Sequence, residues 1–259
     1  MPGRSTAPPE FILHGICKDF GGFRALSDIS LQLRGPGIVG LVGQNGAGKS
    51  TMLSLLCGAL APTEGELVFD GTPVIRRRRN ALPSMGICRL FQEVHLIAGL
   101  RVWENIALGL SVRQGTGRRG ELLARGSALL ARVRTCAREV GLDDDTLDRW
   151  PAALPIGTQR RVELARLTAS QPRVALLDEP TANLSLAESD EVATVAQRLA
   201  QTALVILVEH NMQLVYTIGE RVIVLAEGRV AADGPPAEVA QDPAVRQAYL
   251  GYAGAGGAS

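Results

Sequence analysis

The 259-residue chain is poor in aromatic residues, cysteine and histidine, carries almost no net charge and contains no long apolar run. Each shortage excludes something. Aromatics are 4% of a sequence that is 46% hydrophobic, so its core has to be aliphatic. The four cysteines, Cys17, Cys57, Cys88 and Cys136, are widely scattered, form no C-x-x-C pair and have no histidine cluster beside them. Neither zinc nor a disulfide framework fits that spacing, and a reducing cytosol is the simpler setting. Lys plus Arg (27) against Asp plus Glu (26) leaves +1, which removes any whole-molecule attraction to nucleic acid or anionic lipid. The longest apolar runs, Ala203–Val208 and Val222–Ala226, fall far below the ~18 residues of a membrane-spanning helix, so any membrane role is expected to be peripheral. Residues 1–10 hold Pro, Ser, Gly and Arg4 without an apolar stretch and read as a flexible lead rather than a signal peptide.

Glycine is what the chain has in quantity, 29 residues, and a 20% charged fraction is ordinary for a folded protein with a sizeable core. The length fits one large domain or a domain with an inserted subdomain. Strands are expected at Phe11–Lys18 and Ala25–Leu33, followed by the turn Arg34–Gly37. Ile38–Val42 is apolar on both faces, as in a buried parallel strand, and runs into a glycine loop and a helix extending to Ala59. Gly65–Phe69 and Thr72–Ile75 flank an Asp-Gly turn and read as a hairpin. Between about residues 102 and 171 the spacing becomes helical, with polar breaks at Gln114–Gly120 and Asp143–Asp145, which predicts an inserted helical subdomain. Strands return at Val174–Leu177, Ala203–Val208 and Val222–Leu225, with a helix over Leu186–Gln201, so the core is an α/β fold with parallel pairing. The folded domain is expected over 11–250, with a flexible tail over 251–259.

The glycine loop carries the chemistry. Gly43, Gln44, Asn45, Gly46, Ala47, Gly48, Lys49, Ser50 and Thr51 match G-x-x-x-x-G-K-[ST] after a buried strand and at the opening of a helix, the context that motif needs. Glycines allow successive backbone N–H groups to face a polyanion, and the helix N-terminus adds partial positive charge. Lys49 reaches the β and γ phosphates, and the Ser50 hydroxyl suits Mg²⁺. A second carboxylate source is Val174–Asp178, an aliphatic strand delivering Asp178 at its end, with Glu179 one residue further on to polarise a water. His210 follows the strand ending at Val208 and is placed to bond the γ-phosphate or the attacking water. His14 and His95 have no such context and read as ordinary.

Taken together, these motifs resemble the ATP-binding subunits of ABC transporters, and the likeness extends from about Phe11 to Leu250. The resemblance implies a P-loop NTPase fold of ABC type: a mainly parallel core sheet, an antiparallel β subdomain and an inserted α-helical subdomain. It implies ATP hydrolysis with Mg²⁺, Gly43–Thr51 acting as Walker A and Val174–Asp178 as Walker B, with Asp178 on the metal. Glu179 then corresponds to the catalytic carboxylate and His210 to the switch histidine. Gln92, in Leu90-Phe91-Gln92-Glu93, resembles the Q-loop glutamine that touches Mg²⁺ and water, in a loop that contacts the membrane subunit. Phe20, before Gly21-Gly22, resembles the aromatic that stacks on adenine. Phe20-Gly21-Gly22, the run Gln159–Glu163, Val208–Met212 and Arg246–Gly251 resemble branched-chain amino acid importers. Phe91–Glu93 together with Gly99–Ile106 is similar to simple-sugar importers, whose tandem duplication is absent, and lipopolysaccharide-export ATPases are a third similar group. The implied location is peripheral, on the cytoplasmic face of the inner membrane beneath permease subunits.

The signature loop departs from the family's Leu-Ser-Gly-Gly-Gln. It reads Leu154, Pro155, Ile156, Gly157, Thr158, and only the first and fourth positions hold. Pro155 offers neither a hydroxyl nor an N–H, although proline is comfortable at a helix start. The loop after Walker B, Ala182-Asn183-Leu184-Ser185, also lacks the acidic residue that often closes it. Good Walker motifs beside a poor signature favour a heterodimer with a second ATPase subunit carrying a full signature. A homodimer and a weakly hydrolysing regulatory partner are the alternatives. Arg76–Arg79 and Arg113, Arg118, Arg119, Arg125, Arg132, Arg134 and Arg138 are locally basic, but no aromatics interleave them. A solvated face or one near anionic headgroups is therefore expected, and no nucleic-acid partner.

Overall fold

Period-two burial divides the aliphatic strands between two faces, as the computed structural model shows; it describes residues 7–74, 85–114, 126–242 and 245. The arginine run 76–79, Arg118, Arg119, Arg125, the 246–251 motif and the 251–259 tail lie outside the described residues, as does the Arg113 side chain.

An antiparallel sheet of order β2-β1-β4-β5 forms from β1 (Glu10–Phe20), β2 (Phe23–Arg34), β4 (Glu64–Phe69) and β5 (Thr72–Pro73). Its register sets Phe11 opposite both Leu33 and Phe69, and Leu13 opposite Leu31 and Leu67, so one face is continuously apolar. The Phe11 and Phe69 rings meet at 4.6 Å between centroids. Asp70 (φ 48°) and Gly71 (φ 71°) both adopt positive φ, the requirement of the tight turn expected between β4 and β5.

The second sheet has order β10-β9-β3-β8-β7-β6, built from β3 (Gly37–Gly43), β6 (Ile87–Leu90), β7 (Val174–Asp178), β8 (Leu204–Val208), β9 (Arg221–Ala226) and β10 (Arg229–Gly234). All neighbours are parallel except β9 and β10. The residues of β3, β7 and β8 are buried throughout, because helices or the first sheet cover both faces. Val39, Leu41, Val174, Leu176, Ile206 and Val208 face the antiparallel sheet and α1 (Lys49–Leu56). Ile38, Val42, Ala175, Leu177, Val205 and Leu207 face the opposite core, shared with the helices that follow. Helix α1 ends at Leu56, short of the expected Ala59, with Gly58 at φ 63° just beyond it. Strands β6 and β10, at the two sheet edges, had no counterpart in the sequence reading.

Helices α2 (Val102–Gln114), α3 (Ser127–Arg138) and α4 (Ile156–Ala169), with a short 3₁₀ turn at Pro151–Ala153, occupy the stretch of helical spacing. Asn105, fully buried near the start of α2, organises the preceding loop: its Oδ1 accepts from Ile97 N at 2.9 Å while Nδ2 donates to the carbonyls of Ile97, Leu100 and Arg101. Helix α5 (Leu186–Ala200) starts with a capping box in which the Ser185 side chain accepts from the Glu188 N–H and the Glu188 side chain accepts from the Ser185 N–H. Helix α6 (Met212–Ile218) is capped by Asn211, which accepts from Leu214 N at 3.1 Å. The last helix described, α7, spans Pro236–Val239.

Candidate active site

Parallel pairing brings the carboxyl ends of four strands to one edge. Leu41 of β3 lies opposite Val208 of β8, Val208 opposite Asp178 of β7, and Leu177 opposite Leu90 of β6. The segments leaving that edge are the glycine loop, Asp178-Glu179, Glu209-His210 and Phe91-Gln92, the geometry in which open α/β sheets receive ligands.

Gly48 turns the loop into α1 at φ 103°, and a Cβ there would sit 2.8 Å from the Ala25 carbonyl oxygen and 2.6 Å from a Leu26 methyl. Both its backbone angle and its neighbours therefore require glycine. Lys49 follows, 5% exposed, its Nζ donating to the carbonyls of Gly43 (2.7 Å) and Gln44 (3.0 Å). Burial lowers its pKa, opposed by the nearby charges of Glu179 and Asp178. Gln44, Asn45, Gly46 and Ser50 are exposed, Ala47 is buried and Thr51 is half-buried.

Asp178 is 6% exposed, and its Oδ2 accepts from Arg89 Nη2 at 2.6 Å. Arg89 also donates to Ser54 Oγ of α1 at 3.1 Å, and its guanidinium lies 4.8 Å from the Phe91 ring centroid. This cation was missed in the sequence because its strand, β6, is only four residues long. Glu179 has a left-handed backbone (φ 45°) that swings its side chain off the strand line. Its Oε2 accepts from Gln92 Nε2 at 2.7 Å, and its Oε1 lies 2.8 Å from His210 Nε2. A carboxylate held between an amide and an imidazole has its oxygens directed and can orient or deprotonate a water. Glu209, also missed, is 4% exposed and accepts from both the N–H (2.9 Å) and the hydroxyl (2.7 Å) of Thr181, tying the segment after Glu179 to the end of β8.

Two sets of candidate residues stand apart from this cluster. Phe20 ends β1 on the other sheet, 44% exposed, with the Lys18 ammonium 5.1 Å from its ring centroid. Leu154–Thr158 open α4, with Leu154 and Gly157 buried, Pro155 and Ile156 exposed and Thr158 half-buried. Gly157 lies flush against the α5 capping box: a Cβ there would come within 1.8 Å of Glu188 Oε1. Gly157→Ala is therefore expected to dislodge Glu188 and cost about 0.5–2 kcal/mol, the value of a helix cap. That is a fall in Tm of roughly 1–8 °C for a chain of this size. Thermal melts of Gly157→Ala, Glu188→Ala and the double variant check it, and the two losses should not add.

The sequence model of the ABC transporter family matches residues 26–182. The high-affinity branched-chain amino acid transport ATP-binding protein LivG of Salmonella typhimurium is 34% identical over 253 residues, covering 95% of this chain and 99% of its own. The chain belongs to the ABC transporter family. It is the ATP-binding subunit of such a transporter and an ATPase. A second family model, for branched-chain amino acid ATP-binding cassette transporters, matches residues 229–255. The ribose import ATP-binding protein RbsA of Hahella chejuensis is 36% identical over 233 residues, 89% of this ABC subunit but 45% of RbsA. Among solved structures, a dimeric ATP-binding cassette in a post-hydrolysis state with ADP and phosphate superposes with a TM-score of 0.76 at 27% identity, covering 87% of this chain and 98% of that one. The expected P-loop ABC fold is therefore the one present, including its antiparallel sheet beside a mainly parallel core.

Proposed function

We propose that this ABC ATPase is the motor subunit of an importer for branched-chain amino acids or related small solutes, formed by one domain over 11–250 with a helical subdomain at about 102–171. Similarity to LivG along nearly the whole chain, with the separate match over 229–255, supports that solute class over ribose-type sugars. The observation carrying the motor assignment is the junction at the sheet edge where Lys49, Asp178, Glu179, Gln92 and His210 converge from four strands.

In this proposal Gly43–Thr51 cradle the nucleotide phosphates and Phe20 stacks on adenine, a contact that reads a π-face and little else. Ser50, Asp178 and Gln92 would hold Mg²⁺, which would offset phosphate charge. These are oxygen donors, as a hard cation demands, and the contact from Arg89 to Asp178 is made to Oδ2. Glu179 orients the attacking water, with His210 and Gln92 fixing its two oxygens. Leu154, Pro155, Ile156, Gly157 and Thr158 close on the nucleotide of the second ATPase subunit.

No helix among the described residues is long and apolar enough to cross a membrane. Attachment is proposed to be peripheral, through permease subunits at the cytoplasmic face of the inner membrane. The half-exposed Phe91, Ile97 and Trp150 around the loop that follows β6 supply apolar contact area for that docking. No nucleic-acid partner is proposed.

Because Pro155 removes a phosphate contact worth about 1.5–3 kcal/mol, a homodimer closes both sites poorly, whereas a heterodimer with a complete partner signature keeps one good site. Mg·ATP turnover measured on the chain alone and mixed with a second ATPase subunit tests this. Turnover is expected to rise about 10- to 150-fold on mixing. Cooperative hydrolysis by the chain alone at the mixed rate would sink the heterodimer. Stimulation of the assembled complex by leucine, but not by ribose, is the expected result for the solute.

A further inference from the structure

Helix α4 presents three charged side chains on one face, Arg160, Glu163 and Arg166, at i, i+3 and i+6. Arg160 and Glu163 are each 3% exposed, and Arg160 Nη1 meets Glu163 Oε2 at 2.8 Å. Arg166 Nη2 approaches Glu163 Oε1 at 3.4 Å. Arg160 and Glu163 form a buried ion pair, with Arg166, 26% exposed, at its edge and the buried Glu209 carboxylate also acting on Arg160. The remainder of their hydrogen bonding is met by the loop after β6: Arg160 Nη1 donates to the Phe91 carbonyl at 2.8 Å, Arg160 Nη2 donates to the Gln92 carbonyl, and Arg166 Nη2 donates to the His95 carbonyl at 2.9 Å. In return Glu163 Oε1 accepts from the His95 N–H at 2.6 Å.

Burial raises the Glu163 pKa and lowers those of both arginines, so charges in this position are expensive unless every partner is in place. The loop carbonyls are thus obligatory ligands of α4, and residues 91–95 are fixed relative to that helix at four backbone atoms. Gln92 is the residue so fixed whose side chain reaches Glu179. One turn before Arg160, the same helix begins at Ile156 and Gly157.

We infer that Arg160, Glu163 and Arg166 are positioning residues that set the reach of Gln92 to Glu179, so that a displacement of the α4 N-terminus is delivered to the Gln92–Glu179 contact. This rests on the proposed role of Gln92 at the nucleotide. The clamp makes α4 and the loop one rigid piece, linking the segment Leu154–Thr158 to the carboxylate at the sheet edge through buried charge instead of through a flexible hinge.

Arg160→Lys tests it. Lysine keeps the positive charge beside Glu163, but an ammonium cannot span two carbonyls as the planar guanidinium does. In the full chain assembled with its partner subunits, turnover is expected to fall about 5- to 20-fold, the loss of one buried hydrogen bond, with the KM for ATP within about twofold. Amide hydrogen exchange over residues 92–95 should accelerate by about tenfold while β7 and β8 stay protected. Arg166→Lys, which keeps a donor for the single His95 carbonyl, should have the smaller effect on both readouts. In a Gln92→Ala background, Arg160→Lys should produce no further loss of turnover. The inference is overturned if Arg160→Lys slows the Gln92→Ala protein by the same factor as the parent, or if loop exchange is unchanged. If Gln92→Ala alone turns over at the parent rate, the proposed role of Gln92 fails, and the clamp then stands or falls on the exchange rates, which need no turnover.

Discussion

Glu179→Gln is expected to leave the Kd for ATP within about twofold of the parent and to lower turnover by about 10²–10⁴-fold, the range lost with a positioned acid–base group. Glutamine has the same shape, so the backbone at φ 45° and the approach of Gln92 and His210 to this side chain need not change. What disappears is the negative charge and with it the capacity to take a proton from water. The split between binding and turnover is the diagnostic part, because an interaction made only in the transition state lowers kcat and kcat/KM together. Equilibrium ATP binding and single-turnover hydrolysis of the assembled complex check it. A loss of less than about tenfold would remove Glu179 from the role proposed and leave His210 as the candidate.

Lys49→Ala is expected to act on the other half of that split. Lys49 Nζ already spans the carbonyls of Gly43 and Gln44, so the loop is closed around its ammonium before any phosphate is considered. Removing the ammonium deletes a charge-assisted contact to phosphate worth about 1.5–3 kcal/mol, which raises the Kd for ATP about 10- to 150-fold. It also strips the two carbonyls of their shared donor. The measurement is the nucleotide-induced increase in melting temperature. At a concentration about 1,000 times the parent Kd the parent gains about 4.1 kcal/mol, and a variant weakened 100-fold gains only about 1.4 kcal/mol. A variant with the full parental increase would show that the backbone N–H groups of the loop carry the binding alone.

The readability of this chain followed the physics of burial. Strands covered on both faces have little choice of residue, and so Ile38–Val42, Val174–Leu177 and Ala203–Val208 are recognisable as apolar runs with definite ends. The positions of Asp178 and His210 at one sheet edge follow from those ends. The edge strands obeyed no such rule. In β6, Cys88 and Arg89 are only half-buried, and β10 alternates half-buried with exposed residues through Ala-Ala-Asp-Gly, so neither stands out from a loop. Arg89 was lost with its strand. His95, read as ordinary, donates its backbone N–H to Glu163, and no feature of a lone histidine in a polar segment announces a main-chain contact 68 residues away. Arg160 and Glu163 were visible only as members of the run Gln159–Glu163 that resembles branched-chain amino acid importers, and charged residues at helical spacing usually mark a solvated face. Here they mark a buried one.

The order of the strands in the core sheet has a consequence for how the chain is made. β3 pairs only with β8 and β9, neither of which exists until residues 204–208 and 221–226 have been synthesised. Until then a ribosome-bound chain carries a fully apolar strand with both edges open, a template for pairing with another copy. The antiparallel hairpin of β1 and β2, together with β4, can close early, because all its partners lie within the first 69 residues. Helices α2 to α4 can also form from local contacts. The nucleotide edge cannot assemble before β7 and β8 have been made, so ATP cannot rescue a chain truncated ahead of them. Until then the neighbour at hand to cover β3 is α1, whose Met52, Leu53, Leu55 and Leu56 share a core with Val39 and Leu41.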